Sequence, residues 1–308
     1  MEDVGKELTQ IIRSRGVAGR YQEMMQEVLQ DPDVRAFIET HKQKLTQADI
    51  EKSFAKLYEF VQEKKKFLTN DPTMIAPGYE PRLNLNFHFI DVTYVPTDEL
   101  VRIQKEAEIR NRVNSLDMPK DIREASIRNF EVTAGRSEAL EAALDFINGY
   151  VENPKNFHKA LFLVGTFGVG KTYLLGAIAH ELAVQGFETT LLHFPSFAGE
   201  MKQAISSDSV GDKLDSVKKA PILMIDDIGA DSMSAWIRDD ILGVILQYRM
   251  QEQLPTFFSS NFNMNELETH LSVTQRGDQE PLKAKRIMER IRYLSREIMV
   301  IGNNRRNG

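Results

Sequence analysis

One eight-residue stretch in the second half of the chain constrains the fold more than any other feature. It follows the pattern G-x-x-x-x-G-K-[ST], and its residues are Gly165, Thr166, Phe167, Gly168, Val169, Gly170, Lys171 and Thr172. An apolar run at 160–164 precedes it, as in a strand buried on both faces, and apolar residues at helical spacing follow it. Glycines let successive backbone N–H groups point at phosphate oxygens, and the next helix directs its positive end to the same place. The sequence therefore predicts a strand, a phosphate-binding loop and a helix.

Two side chains of this loop carry its chemistry. We expect Lys171 to be exposed in the loop, where it supplies a positive charge to the β- and γ-phosphates of ATP, and we expect the Thr172 hydroxyl to bind Mg²⁺.

A pair of carboxylates follows a second apolar run. Residues 222–225 are apolar and lead into Asp226 and Asp227. Ligands of open parallel sheets collect at the carboxyl ends of the strands, where this pair would lie. We predict that Asp226 holds Mg²⁺ and that Asp227 polarises the attacking water as a general base. The alternative is a solvated Asp-Asp turn before Ile228.

Two further features add candidate polar groups. The run 256–260 predicts a strand that ends at Asn261, whose amide would reach the γ-phosphate or the attacking water; the alternative is a strand-ending turn. The helical stretch 286–292 is rich in arginine, and a guanidinium there would stabilise the charge of phosphoryl transfer, whereas the alternative is a solvated basic face. Arg305 and Arg306 raise the same question, with a frayed tail as the alternative.

The order of elements predicts an α/β fold. Strands and helices alternate after residue 117, which indicates a parallel sheet. Apolar faces before residue 68 predict helices, as the core of a small bundle or as a docking face for a partner helix (Val4, Leu8, Ile11 and Ile12; Tyr21, Met24, Met25, Val28 and Leu29; Ile50, Phe54, Leu57, Tyr58 and Val61). Residues 83–94 alternate as in a strand with a bulge. We predict an N-terminal domain over 1–96, a polar linker helix over 97–116 and a nucleotide-binding domain over 117–308.

Composition excludes several classes of function. The 308 residues include no cysteine, which excludes disulfides, thiol catalysis and cysteine-bound zinc and fits a reducing cytoplasm. No apolar run reaches the ~18 residues that span a bilayer, and the acidic N-terminus is unlike a signal peptide, so we expect no membrane. His88 has no neighbouring ligands at metal-binding spacing and is expected to be an exposed strand residue.

Net charge and local charge lead to different expectations about nucleic acid. The net charge of −6 argues against coating nucleic acid by bulk charge, but not against a local basic groove. Proteins that bind single-stranded nucleic acid combine positive charge with aromatic side chains on which bases stack. Such a surface is predicted in the helical stretch after the second strand (Lys202, Lys213, Lys218 and Lys219, with Phe197 as the stacking residue). The alternative is an ordinary solvated face.

Together these stretches resemble the AAA+ ATPases. More narrowly, residues 117–308 resemble the helicase loaders of the DnaI/DnaC type and the related IstB transposition helpers, and the N-terminal unit, the linker and the run 254–262 favour the loaders. The stretches that carry the resemblance are 165–172, 225–229, 258–261 and 287–291.

The resemblance implies roles for several residues and partners. Asn261 would be sensor 1, Arg290 the arginine finger that acts on a neighbouring subunit's ATP, and Arg305 or Arg306 a sensor-2 residue. The N-terminal domain would bind the hexameric replicative DNA helicase, and the AAA+ domain would bind ATP, Mg²⁺ and single-stranded DNA and self-associate. Some relatives carry a cysteine-rich zinc site between residues 67 and 96; this chain has no cysteine, so no zinc is expected.

The alternatives concern the reaction and the partner. Many AAA+ proteins have Asp-Glu where this chain has Asp226-Asp227, and the shorter second side chain predicts weak ATP hydrolysis without partners. One alternative is an IstB-like transposition helper that acts on DNA with a transposase. Another is a non-enzymatic adaptor in which ATP only orders the fold, which the intact lysine, both aspartates and the candidate finger disfavour.

Overall fold

A computed structural model of the chain describes residues 17–116 and 118–305. The apolar face predicted at Val4, Leu8, Ile11 and Ile12 lies outside the described residues, as does Arg306. The chain divides into two compact units between Lys105 and Glu106. The domain bounds drawn from the sequence remain a prediction.

The first unit is a small helical assembly with a β-hairpin. Its helices are α1 (Val17–Gln30), α2 (Pro32–Thr40), α3 (Gln47–Lys52) and α4 (Phe54–Leu68). The Asp31 carboxylate accepts N–H groups at the start of α2, and Thr46 and Asp49 form a capping box at the start of α3. The predicted apolar faces are mostly core, although Tyr21, Met24 and Tyr58 remain partly exposed (buried: Val28, Val34, Phe54, Leu57, Phe60, Val61 and Ile90).

The predicted strand with a bulge is instead a hairpin. Strands β1 (Tyr79–Asn86) and β2 (Phe89–Pro96) pair antiparallel, with Phe87 and His88 as the two-residue turn. This turn shifts the alternation by one residue, which explains the change of phase in the sequence. His88 lies at this turn rather than within a strand, and its ring contacts the Lys44 carbonyl oxygen at 3.0 Å.

The polar segment after the hairpin forms α5 (Asp98–Arg112), which has no buried residues. The sequence predicted helix up to residue 116, but Val113–Leu116 form strand β3, parallel to β5 (Thr189–His193). Val113 packs against the core of the second unit, which explains why the chain becomes extended there.

The second unit contains a six-stranded sheet with the order β3-β5-β6-β7-β4-β8, and all its pairs are parallel. The predicted α/β fold is confirmed. Strands β4 (Ala160–Val164), β6 (Ile222–Asp226) and β7 (Thr256–Ser260) are buried at every position, as their apolar runs predict. Strand β8 (Ser295–Met299), an edge strand beside β4, was not predicted from the sequence.

Helices cover both faces of this sheet, because neighbouring residues of its strands join different cores. Met224 and Phe257 belong to one core and Leu223 and Phe258 to the other. The helices of the second unit are α6 (Lys120–Arg123), α7 (Ser137–Glu152), α8 (Lys171–Val184), α9 (Phe194–Ala204), α10 (Val210–Lys218), α11 (Gly243–Gln251), α12 (Met264–Leu271) and α13 (Pro281–Leu294). The helical stretch that begins at residue 235 contains a π-helical segment, Ile237–Leu242, before α11.

Candidate nucleotide site

The glycine-rich loop connects β4 to α8, and its backbone requires glycine at two positions. Gly168 and Gly170 have φ values of 74° and 100°. A Cβ atom at Gly168 would lie 1.9 Å from Asn304 Oδ1, and one at Gly170 would lie 2.5 Å from Arg136 Nη2. Glycine is therefore required at both positions, for the left-handed backbone that a phosphate cradle needs and for the close approach of Asn304 and Arg136 to the loop.

Lys171 is buried at the base of this loop, so its expected exposure was wrong. Its Nζ donates to the carbonyl oxygens of Gly165 and Thr166 at 2.8 and 2.9 Å. It also donates to Asn261 Oδ1 at 2.8 Å. The structure thus brings the loop lysine and the strand-ending asparagine together, because β4 and β7 are neighbours.

Asp226 lies at the carboxyl end of β6 and is almost fully buried. Its Oδ1 accepts hydrogen bonds from Ser259 Oγ and, at 2.9 Å, from Thr172 Oγ1. Burial raises the pKa of Asp226, although the hydrogen bonds from Ser259 and Thr172 act in the opposite direction. A buried carboxylate beside a hydroxyl suits a hard divalent cation, so both side chains fit the Mg²⁺ role predicted for them.

Asp227 turns away from the strand direction, with φ at 59°. Its N–H donates to Ser259 Oγ at 3.0 Å, and its Oδ1 lies 3.4 Å from Asn261 Nδ2. His193 Nε2 lies 3.9 Å from Asp227 Oδ2. His193 was not identified from the sequence. The available signal was a polar residue at the end of the apolar strand β5, where His193 pairs with Asp226 of β6.

A cavity of 570 Å³ connects these groups, within the usual size range of small-molecule sites. The loop residues, Asp226, Asp227 and Asn261 line one part of it, and apolar side chains line another (Met118, Pro119, Ile122, Phe130 and Tyr173). This apolar wall could not be recognised in the sequence, because residues 118–130 contain only short helical turns with no sustained periodicity. The polar part and the apolar part together fit the phosphates and the base of a nucleotide.

The C-terminal segment also borders the cavity. The Arg305 N–H donates to the Gly168 carbonyl oxygen at 3.1 Å, and the Arg305 side chain pairs with Glu131 at 2.6 Å. Arg305, one of the two sensor-2 candidates, therefore lies at the site. Its sensor role remains a prediction.

Arg290 does not line this cavity. It lies on α13, and its Nη1 donates to the Gly243 carbonyl oxygen at 2.8 Å. Burial lowers the pKa of Arg290, and the charge of Arg286 lowers it further. An arginine finger acts on the nucleotide of a neighbouring subunit, so this position leaves that role as a prediction.

The structure differs from the predicted DNA surface at its aromatic residue. Phe197 is buried in the core beneath β5 and β6, so its expected role as an exposed stacking residue is wrong. Lys213 pairs with Glu200, and Lys218 and Lys219 both pair with Asp215. Lys202 is exposed near the end of α9 and forms no ion pair among the described residues.

Residues 17–116 and 118–305 contain no group of three or more His, Asp or Glu side chains placed to hold a metal ion. In the same residues, no helix has the length and the apolar character needed to cross a membrane.

Known protein families match both parts of the chain. Residues 1–94 match the family model described as "Primosomal protein DnaI N-terminus", and residues 87–307 match "IstB-like ATP binding protein". The replicative helicase loader DnaI of Bacillus subtilis is 36% identical over 312 residues, which cover 100% of both chains. The chain belongs to the DnaI family of replicative helicase loaders.

A solved structure and a second loader agree with membership of the DnaI family. A crystal structure of DnaI is 44% identical and has a TM-score of 0.56; it covers 64% of this chain and 99% of that one. The replicative helicase loader DnaC of Escherichia coli strain K12 is 25% identical over 181 residues, which cover 58% of this chain and 66% of DnaC. The family is one of ATP-binding AAA+ proteins.

Proposed function

We propose that this member of the DnaI family is an ATP-dependent loader that binds the hexameric replicative DNA helicase. It helps to place the helicase on single-stranded DNA during primosome assembly and replication initiation. The observation that carries this proposal is the end-to-end match to a helicase loader. The convergence of Lys171, Asp226, Asp227 and Asn261 on one cavity supports the dependence on ATP.

The residues of the cavity have distinct roles in this proposal. ATP is the substrate and supplies the γ-phosphoryl group. Thr172 and Asp226 would hold Mg²⁺, which would supply positive charge to offset that of the phosphates, and the loop N–H groups and Lys171 would hold the phosphates. Asp227 orients and deprotonates the attacking water. The Asn261 amide donates a hydrogen bond to the γ-phosphate or to this water.

We propose that hydrolysis is weak without partners. Asp227 is one methylene shorter than the glutamate found in many AAA+ proteins, and general-base catalysis depends on reach to the water. Completion of the site also needs an arginine from a neighbouring subunit, for which Arg290 is the candidate. Self-association through the second unit is therefore part of the proposal.

The N-terminal residues 1–96 are proposed to bind the helicase, because residues 1–94 match the DnaI N-terminal family model and the segment contains no nucleotide motif. The sequence predicts that the nucleotide-binding domain begins at residue 117, but β3 precedes that residue and pairs with β5. A fragment for testing should therefore begin at Glu106, so that the edge of β5 remains covered.

The test is co-elution of each fragment with the replicative helicase. Residues 1–105 should bind the helicase without nucleotide, whereas residues 106–308 should bind ATP and single-stranded DNA but hold the helicase weakly. Full affinity in the C-terminal fragment and none in the N-terminal fragment would contradict this division of roles.

An IstB-like transposition helper is the second candidate, because residues 87–307 match the IstB-like model. Such a protein would co-elute with a transposase rather than with the helicase. The third reading, a non-enzymatic adaptor, requires that ATP is not turned over even when helicase and single-stranded DNA are both present. Measuring phosphate release under those conditions separates it from the loader.

A further inference from the structure

Three arginine side chains in the second unit are almost completely buried, and two of them have their donors satisfied. Arg249 donates from Nε to Thr256 Oγ1 and from both terminal nitrogens to backbone carbonyl oxygens. Arg238 pairs with Asp239 and Glu280 and donates to the Leu271 carbonyl oxygen. Both residues have the partners that a buried guanidinium needs, so both are explained by the fold alone.

Arg136 is equally buried but lacks such partners. Only 2% of it is exposed, and among the described residues it forms no ion pair. Its Nη1 donates to the Glu131 carbonyl oxygen at 2.8 Å, and its guanidinium carbon lies 3.8 Å from the centre of the Phe130 ring. Its Nε has no hydrogen-bond partner. A buried cation with an unused donor and no carboxylate is costly unless an anion completes its surroundings.

The position of Arg136 indicates which anion this is. Arg136 lines the 570 Å³ cavity together with the phosphate-binding loop. Its Nη2 lies against the backbone of Gly170, the residue before the first turn of α8. Burial lowers the pKa of Arg136 and the charge of Arg305 lowers it further, so a nearby negative charge would stabilise the charged side chain.

The residues at the two ends of the cavity indicate which phosphate of the nucleotide Arg136 would contact. Lys171 contacts Asn261 and so lies towards the Asp227 end, where the γ-phosphate is proposed to react. Arg136 instead contacts Phe130, on the apolar wall proposed to receive the base. A phosphate beside Arg136 is therefore the one nearest the base.

We propose that Arg136 is a nucleotide-binding residue that contacts the α-phosphate, in addition to the residues of the phosphate-binding motif. This inference rests on the proposed nucleotide binding and adds a cation that the motif does not contain. Arginine suits the task because its planar fork donates two hydrogen bonds to phosphate oxygens. ATP and ADP share the α-phosphate, so Arg136 serves both nucleotides equally.

The experiment uses the full-length protein and titrations of ATP and ADP followed by calorimetry. Arg136→Met should weaken both affinities by about 10- to 100-fold, as expected for a lost charged hydrogen bond, and leave their ratio unchanged. Arg136→Lys should lie between Arg136→Met and wild type, because it keeps the charge but loses the fork. Arg128→Met, which removes an exposed arginine of the same segment, should bind as wild type does.

A second readout does not depend on binding. Without nucleotide, Arg136→Met should melt at the wild-type temperature or above it, because it removes a buried charge that lacks a carboxylate partner. A structural arginine would behave in the opposite way, with a lower melting temperature and unchanged affinity. If Arg136→Met does not fold, the lysine variant decides: affinities equal to wild type would overturn the proposal.

Other outcomes separate this inference from the proposed function. If wild type binds neither nucleotide, the proposed function itself fails. If wild type binds and Lys171→Ala does not, but Arg136→Met retains both affinities, only the inference about Arg136 is overturned. If Arg136→Met loses affinity for ATP alone, the contact is to the γ-phosphate and the assignment to the α-phosphate is wrong.

Discussion

At the scale of single residues, the lysine of the phosphate-binding loop is held by protein oxygens rather than by solvent. Lys171 donates to two loop carbonyl oxygens and to Asn261. These bonds use the three N–H donors of the ammonium group, so a phosphate that binds Lys171 would replace at least one of these oxygens.

We predict that Lys171→Ala folds but loses stabilisation by Mg·ATP. A ligand stabilises a protein only as far as it binds the folded state, and the variant lacks the principal charge for the β- and γ-phosphates. The measurement is the shift in melting temperature on adding Mg·ATP. The control is Lys155→Ala, an exposed lysine before β4. An unchanged shift in the Lys171 variant would contradict the assignment.

The raised pKa of Asp226 gives a prediction about pH. A carboxyl whose folded pKa lies above its unfolded value of 3.8 favours the folded state only while it is protonated. That contribution is lost as the pH rises through the folded pKa, so without metal the charged side chain is a cost at neutral pH. Asp226→Asn should therefore raise the melting temperature of the metal-free protein, more at pH 7.5 than at pH 4.5.

The measurement for Asp226 is thermal unfolding in a chelator at both values of pH, for wild type and for Asp226→Asn. The same variant should lose the stabilisation by Mg·ATP, because an amide is a poor ligand for Mg²⁺. If the difference in melting temperature between Asp226→Asn and wild type becomes smaller as the pH rises, burial of the Asp226 carboxylate is not the main cause of the difference.

Some residues of the site could be predicted from sequence and others could not. The phosphate-binding loop and Asp226 could, because spacing along one strand–turn–helix unit determines where they lie. Arg136 and His193 could not, because each is a single residue whose importance depends on a neighbour distant in sequence. The exposure of Phe197 was misjudged, since an aromatic residue on an amphipathic helix can face either the core or the solvent.

At the scale of elements, the central strands were predictable and the edge strands were not. Apart from Asp226 at the end of β6, strands β4, β6 and β7 contain only apolar or small residues, because both faces of these strands are covered. Strands β3 and β8 lie at the two edges of the sheet and include exposed polar residues such as Asn114 and Arg296. Strand β3 pairs with β5 and β8 pairs with β4, and a local sequence pattern carries no information about such partners that are distant in sequence.

Helix α9 carries the prediction about DNA. Lys202 is exposed on this helix, whereas the other lysines of the predicted surface are paired with carboxylates. We predict that Lys202→Glu weakens binding to a labelled single-stranded oligonucleotide. It should also make the salt dependence shallower, by about 0.7 in the slope of log K against log salt for each lost phosphate contact.

The control for α9 is Lys155→Glu, which makes the same change of charge at a different exposed lysine. Equal losses in both variants would indicate an effect of net charge alone. Wild-type affinity in the Lys202 variant would remove this helix from the DNA surface.

At the scale of the whole molecule, one chain does not bring every residue that the proposed reaction needs to its own nucleotide cavity. Lys171, Asp226, Asp227 and Asn261 surround one cavity, but Arg290 lies on α13 and does not line it. If Arg290 is the arginine finger, the active site forms only where two copies meet, and such head-to-tail contacts use different surfaces on the two subunits.

We therefore predict that Arg290→Ala binds ATP with wild-type affinity but hydrolyses it at least ~10-fold more slowly in the presence of helicase and single-stranded DNA. Mixing it with Lys171→Ala should restore part of the activity, because one variant supplies the nucleotide site and the other supplies the arginine. Random mixing of equal amounts creates about one competent interface in four. Arg286→Ala, at an exposed arginine of the same helix, is the matched control. No recovery on mixing, with both variants folded and able to associate, would mean that Arg290 acts within its own subunit, through its bond to Gly243, rather than on a neighbour's nucleotide.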